Sequence, residues 1–165
     1  MTDFDSLATH LGAALAARGE MLATAESCTG GWAAQCVTAI AGSSGWFERG
    51  FVTYSNAAKM ELLGVPETTL ARHGAVSEAT ARAMAQGALA HSRADWALAI
   101  TGIAGPGGGS VDKPVGTVCF AWASQAGCLA RTAHLAGDRA AVREQSVALA
   151  LSTLIELLES TPALA

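Results

Sequence analysis

Hydrophobic positions near the start of the chain recur at helical spacing. Leu7, Leu11, Ala14 and Leu15 follow Thr2 and Asp3, and Gly19 closes the run, which predicts an amphipathic helix. The period then changes. MLATA (21–25) reads as a short strand, and Gly30-Gly31 leads into a helix extending to Gly42. FVTY (51–54) reads as a second strand, after which Ser55 or Asn56 caps a helix that stops at Gly64-Val65-Pro66. Ser77 opens a longer Ala-rich helix to about Ser92. WALAIT (96–101) is a continuous apolar run of the kind found in a doubly covered strand.

A glycine-rich segment, GIAGPGGGSVDKP, follows that strand. VGTVCFAWA and CLARTAHL are two strands separated by Ser124–Gly127, short enough for an antiparallel hairpin, and Asp138 begins a last helix to about Glu159. Strands alternating with helices, then a late hairpin, predict a three-layer α/β/α sandwich with a mixed, mostly parallel sheet. No internal repeat or linker interrupts it, so residues 1–165 are read as one domain.

Composition narrows the picture. A chain of 165 residues can bury roughly two-thirds of its unfolded surface. It is 51% hydrophobic but only 5% aromatic, so its core must be made of Ala, Leu and Val. No apolar run is long enough to cross a bilayer, and the acidic start MTDFDSLATH lacks the basic region of a signal peptide; a cytoplasmic protein is expected. Cys28, Cys36, Cys119 and Cys128 form no C-x-x-C pair and the histidines show no H-x-x-x-H spacing, so no metal site is expected. The net charge of −4 and the dispersed basic residues argue against nucleic-acid binding but allow a small anionic ligand held by one or two arginines.

In folds of this class ligands collect at the carboxyl ends of strands. Four polar junctions qualify: AESCTGG, TYSNAAK, TGIAGPGGG and GDRAAVR. In the first, Ser27 and Cys28 stand side by side between a carboxylate and a glycine pair. Serine needs a base to become a nucleophile. Lys59, in the first turn of a helix, is a candidate, because the helix dipole and burial both disfavour its charge; Tyr54 at the preceding strand end could share its proton. The alternative is that Ser27 caps a helix, Lys59 is a solvated surface lysine and Tyr54 is packing. The glycine-rich segment fits neither the P-loop nor the dinucleotide fingerprint. Arg139 and Arg143 share a helix face at its N-terminus; either Asp138 and Glu144 satisfy them or an anionic ligand does.

Taken together, TAESCTGG, GFVTYSNAAK, GAVSE, TGIAGPGGGSVDKPVGTV and GDRAAVR resemble the nicotinamide-nucleotide amidohydrolase family, also found as the C-terminal domain of the competence/damage-inducible protein CinA. The resemblance runs from about Thr24 to the last helix. Larger CinA proteins carry a further N-terminal domain, so the stand-alone form is expected. The resemblance implies conversion of nicotinamide mononucleotide to nicotinate mononucleotide and ammonia, with Ser27 as nucleophile, Lys59 as base and Tyr54 as its companion. It also implies a substrate site of Cys28, Thr29, Gly30, Gly31, Thr101, Gly102, Arg139 and Arg143. Backbone N–H groups between Cys28 and Gly31 would stabilise the oxyanion. The corresponding expectations are a small nucleotide substrate, no cofactor, no metal and a homo-oligomer. An idle nucleotide-sensing module of the same fold is the alternative.

Overall fold

A computed structural model describes residues 1–162. Five strands form one sheet: β1 (Leu22–Glu26), β2 (Phe47–Val52), β3 (Trp96–Gly102), β4 (Thr117–Ser124) and β5 (Gly127–His134). Their order across the sheet is β2-β1-β3-β4-β5. β1 pairs in parallel with β2 and β3, whereas β4 is antiparallel to both β3 and β5. Four of the five strands therefore point the same way, and the late hairpin supplies the exception.

The helices are α1 (Phe4–Arg18), α2 (Trp32–Thr38), α3 (Asn56–Leu63), α4 (Glu67–His73), α5 (Glu78–Ala90) and α6 (Arg139–Ser160). Short polar side chains start several of them: Asp3, Ser55, Ser77 and Asp138 each accept an N–H of the first turn. Gly19 and Gly64 end α1 and α3 in the left-handed conformation that lets the last carbonyls be satisfied.

Strand alternation explains why the two faces of the sheet differ. Leu22, Leu98, Ile100, Val118, Phe120 and Trp122 point to one side, where they pack with Leu11 and Leu15 of α1 and with Val147, Leu151 and Leu154 of α6. The intervening residues are small: Ala23, Ala25, Ala97, Ala99, Cys119, Ala121 and Ala123 face the other side, against Ala81, Met84, Ala85 and Ala88 of α5. Alanine on both surfaces brings α5 close to the sheet. α5 also packs closely against α3, where a Cβ at Gly87 would clash with the Leu63 carbonyl oxygen. A core poor in aromatics is thus one bulky layer and one alanine layer.

Three boundaries differ from the sequence expectation. β2 begins at Phe47 and ends at Val52, so Thr53 and Tyr54 lie beyond it; as an edge strand with Glu48, Arg49 and Gly50 in its middle, it lacks the apolar alternation that announces a strand. α2 stops at Thr38 rather than near Gly42. α4 buries none of its residues, so no hydrophobic period marks it.

Candidate active site

β1 ends at Glu26, and the chain turns immediately through Ser27–Gly31 into α2. Gly30 (φ +62°) and Gly31 (φ +102°) are both left-handed, a succession that side chains with a Cβ rarely adopt. The turn folds back on itself, with the Gly30 N–H donating to the Ser27 carbonyl at 3.0 Å and the Ser27 N–H donating across to the Ile100 carbonyl at 2.9 Å. Ser27 is thereby fixed at the carboxyl end of two central parallel strands.

Lys59 comes from the first turn of α3, yet it is not a surface lysine. It is only 1% exposed, and its Nζ donates to Ser27 Oγ (3.0 Å), the Thr53 carbonyl (2.9 Å) and the Tyr54 carbonyl (3.3 Å). Burial pushes its pKa below the ordinary lysine value, while the Cys28 thiol opposes that shift. Two of its three donors are held by carbonyls. Once the amine is neutral its lone pair therefore remains for the Ser27 hydroxyl, the arrangement needed for a general base.

Cys28 is a poor rival. Its thiol is buried and pushed up to about 11, chiefly by loss of solvation, with Arg143 pulling weakly the other way. At neutral pH it is a thiol, not a nucleophilic thiolate. Thr29 is fully buried and its hydroxyl points inward, donating to Glu26 Oε1 at 2.7 Å. Thr101 is also buried and donates to the Ala75 carbonyl at 2.7 Å.

Tyr54 joins Lys59 only through its backbone. β2 ends two residues earlier, so the Tyr54 side chain stands 62% exposed, and its hydroxyl accepts from Arg139 Nη2 at 3.1 Å. The other hand of Arg139 donates to the Gly105 carbonyl at 2.8 Å. Ser27, Cys28, Tyr54, Lys59, Thr101, Gly102 and Arg139 line one cleft of about 210 Å³, together with Asn56, Ala75, Val76 and Ala104. A wider cleft of about 670 Å³ adjoins it through Ala104 and Arg139, lined also by Pro106, Val115, Asp138 and Arg143. A third space of about 630 Å³, between α3, α4 and α5, contains none of these residues.

Arg143 is committed to the turn. Its Nε donates to the Cys28 carbonyl (3.1 Å), its Nη2 to the Thr29 carbonyl (3.2 Å), and its guanidinium lies 5.4 Å from the Trp32 ring centre. The carbonyl and the following N–H of a trans peptide point in opposite directions, so this grip turns the N–H groups of Thr29 and Gly30 away from Arg143. The possibility that Asp138 and Glu144 neutralise the two arginines is not realised: Asp138 accepts the Ala141 N–H and Glu144 the Thr2 N–H. Among the described residues neither arginine has a carboxylate partner, which leaves two positive charges at the wider cleft. No three His, Cys, Asp or Glu side chains among these residues gather as a metal site.

The residue that sequence reasoning passed over is Glu26. Fully buried, its carboxylate accepts from Thr29 Oγ1, from Ala33 N–H (2.8 Å) and from Ala34 N–H (3.1 Å). The signal was present: a lone charge ending an otherwise uncharged strand, one residue before Ser27.

An α/β protein with a buried serine–lysine pair at the end of a parallel strand, beside a glycine turn and a cationic cleft, has groups chemically capable of acyl transfer and of holding a small anion. Residues 4–158 match the CinA C-terminal domain, and the chain belongs to that family. It is 59% identical over 157 residues to the nicotinamide-nucleotide amidohydrolase PncC of Escherichia coli strain K12, covering 93% of this chain and 95% of the relative. The Pseudomonas putida protein of the same name is 48% identical, covering 95% of this chain and 98% of the relative. Among solved structures, the competence/damage-inducible protein CihA of Agrobacterium tumefaciens superposes with a TM-score of 0.92 at 48% identity, covering 95% of this chain and 96% of that one.

Proposed function

We propose that this protein hydrolyses the carboxamide of nicotinamide mononucleotide, giving nicotinate mononucleotide and ammonia. The observation that carries the reading is Lys59 Nζ, buried and 3.0 Å from Ser27 Oγ. The activity named for relatives that match almost end to end supports it.

The pyridine carboxamide enters the narrow cleft and the ribose phosphate lies in the wider one, against Arg139 and the positive field of Arg143. Neutral Lys59 removes the Ser27 proton as Oγ bonds to the carboxamide carbon. The developing oxyanion is met by backbone N–H groups of the Cys28–Gly31 turn. Those of Cys28, Thr29 and Gly31 take no acceptor among the described residues, whereas those of Ser27 and Gly30 are already used. The carbon–nitrogen bond breaks, and the Lys59 ammonium returns its proton to the leaving nitrogen as ammonia. Water, deprotonated by Lys59, then cleaves the Ser27 ester and releases the carboxylate. Tyr54, turned toward Arg139, belongs with substrate binding rather than with the proton path.

Purified protein incubated with nicotinamide mononucleotide tests the reading. Ammonia and nicotinate mononucleotide should appear in equal amounts, and nicotinamide riboside should react far less readily. Binding of the mononucleotide without turnover would favour the sensing module instead.

A further inference from the structure

We infer that Glu26 is a positioning residue for the acylation step, a role that rests on Ser27 being the nucleophile. α2 has only seven residues and its N-cap, Gly31, has no side chain with which to cap it. Nor does its first turn contain an acidic residue. Glu26 supplies what is missing from across the turn. Its carboxylate receives the N–H groups of Ala33 and Ala34 and the Thr29 hydroxyl, so three donors converge on one side chain that offers none. Its backbone carbonyl meanwhile accepts the Thr53 N–H at 2.8 Å, and the Thr53 carbonyl in turn receives Lys59 Nζ.

One residue is therefore tied both to the turn that follows Ser27 and to Thr53, whose carbonyl holds Lys59. Its side chain holds the turn that follows Ser27 from inside the fold, opposite the grip of Arg143 on the carbonyls of Cys28 and Thr29. Its main chain holds the segment that cradles Lys59. A carboxylate is required because every partner is a donor. Glutamine has nearly the same shape, but its amide NH₂ would have to face at least one of these N–H or O–H groups. Relief of that clash shifts the turn, and with it Ser27 Oγ and the N–H groups that meet the oxyanion. A displacement near 1 Å in a reacting site costs about a hundredfold in rate.

The test uses full-length protein and two readouts: turnover of nicotinamide mononucleotide, and acylation of Ser27 by p-nitrophenyl acetate followed by mass spectrometry. In Glu26→Gln, kcat and the acylation rate should both fall about a hundredfold while KM stays within about threefold. Thr29→Val, which removes one donor and keeps the volume, should fall in the same way, and Thr29→Ser, which restores the hydroxyl, should recover most of the rate. Should Glu26→Gln fail to fold, the Thr29 pair carries the test. Unchanged acylation in folded Glu26→Gln, or equal rates for Thr29→Val and Thr29→Ser, would overturn the inference. A wild-type protein that neither turns over the nucleotide nor acylates at Ser27 would instead refute the proposed function itself.

Discussion

Replacing Lys59 by arginine separates a base from a mere cation. Among the described residues Lys59 Nζ has Ser27 and two carbonyls, and no carboxylate, within bonding distance, and its burial lowers its pKa below the ordinary lysine value. A lysine at its ordinary pKa near 10.4 would be about one part in 2,500 neutral at pH 7; arginine, at 12.5 or above, is at least about a hundredfold worse. Because burial lowers Lys59 further, the loss should exceed a hundredfold even if the guanidinium fits. The assay is ammonia release by wild type and Lys59→Arg between pH 6 and 10. Wild-type kcat/KM should climb tenfold per pH unit and level off at a pH below the ordinary lysine value. Activity in Lys59→Arg within tenfold of wild type, with the same profile, would remove Lys59 from the proton path.

Three further outcomes are expected. Arg139→Ala should raise KM for the mononucleotide about ten- to a hundredfold, from loss of charge-assisted hydrogen bonds, and leave the weak reaction of the riboside unchanged; steady-state kinetics on both compounds decides it. Stability should rise with pH, because the depressed pKa of Lys59 means the unfolded chain binds the extra proton. That rise begins near the folded pKa of Lys59 and reverses above about pH 9, where Cys28 and Cys36, held at about 11 in the fold, keep protons that the unfolded thiols lose. Urea titrations across pH should find it, and Lys59→Met should flatten its ascending part. Gly87→Ala should destabilise by about 3 kcal/mol, since the new methyl meets the Leu63 carbonyl rather than a side chain that can turn aside; a loss of unfolding free energy below about 1 kcal/mol in urea titrations would contradict the close α3–α5 packing.

How much of this was legible in the chain depends on what kind of interaction each feature uses. The alanine face of the sheet and the bulky face opposite were both written in period 2 along WALAIT and VGTVCFAWA, and polar caps marked the ends of α1, α3, α5 and α6. β2 and α4 were obscured because an edge strand and a surface helix bury too little to impose a pattern. Ser27 and Lys59 could be named from motifs, but not their contact, which depends on α3 carrying the Lys59 side chain to the residue that follows β1. The orientation of Tyr54 was invisible for a related reason: only the true end of β2 reveals that its phenol faces Arg139. Glu26 and Arg143 bond mostly to main-chain groups, and such contacts leave no partner residue type to recognise.

The central claim is that Ser27 carries the acyl group, and trapping that ester tests it most directly. Wild-type protein mixed with nicotinamide mononucleotide and quenched in acid within milliseconds, then digested and weighed, should show the peptide containing Ser27 heavier by the substrate less ammonia. Ser27→Ala should fold, bind the nucleotide, show no adduct and lose several orders of magnitude in turnover. Turnover near wild type in Ser27→Ala, or an adduct found on Cys28, would contradict the account.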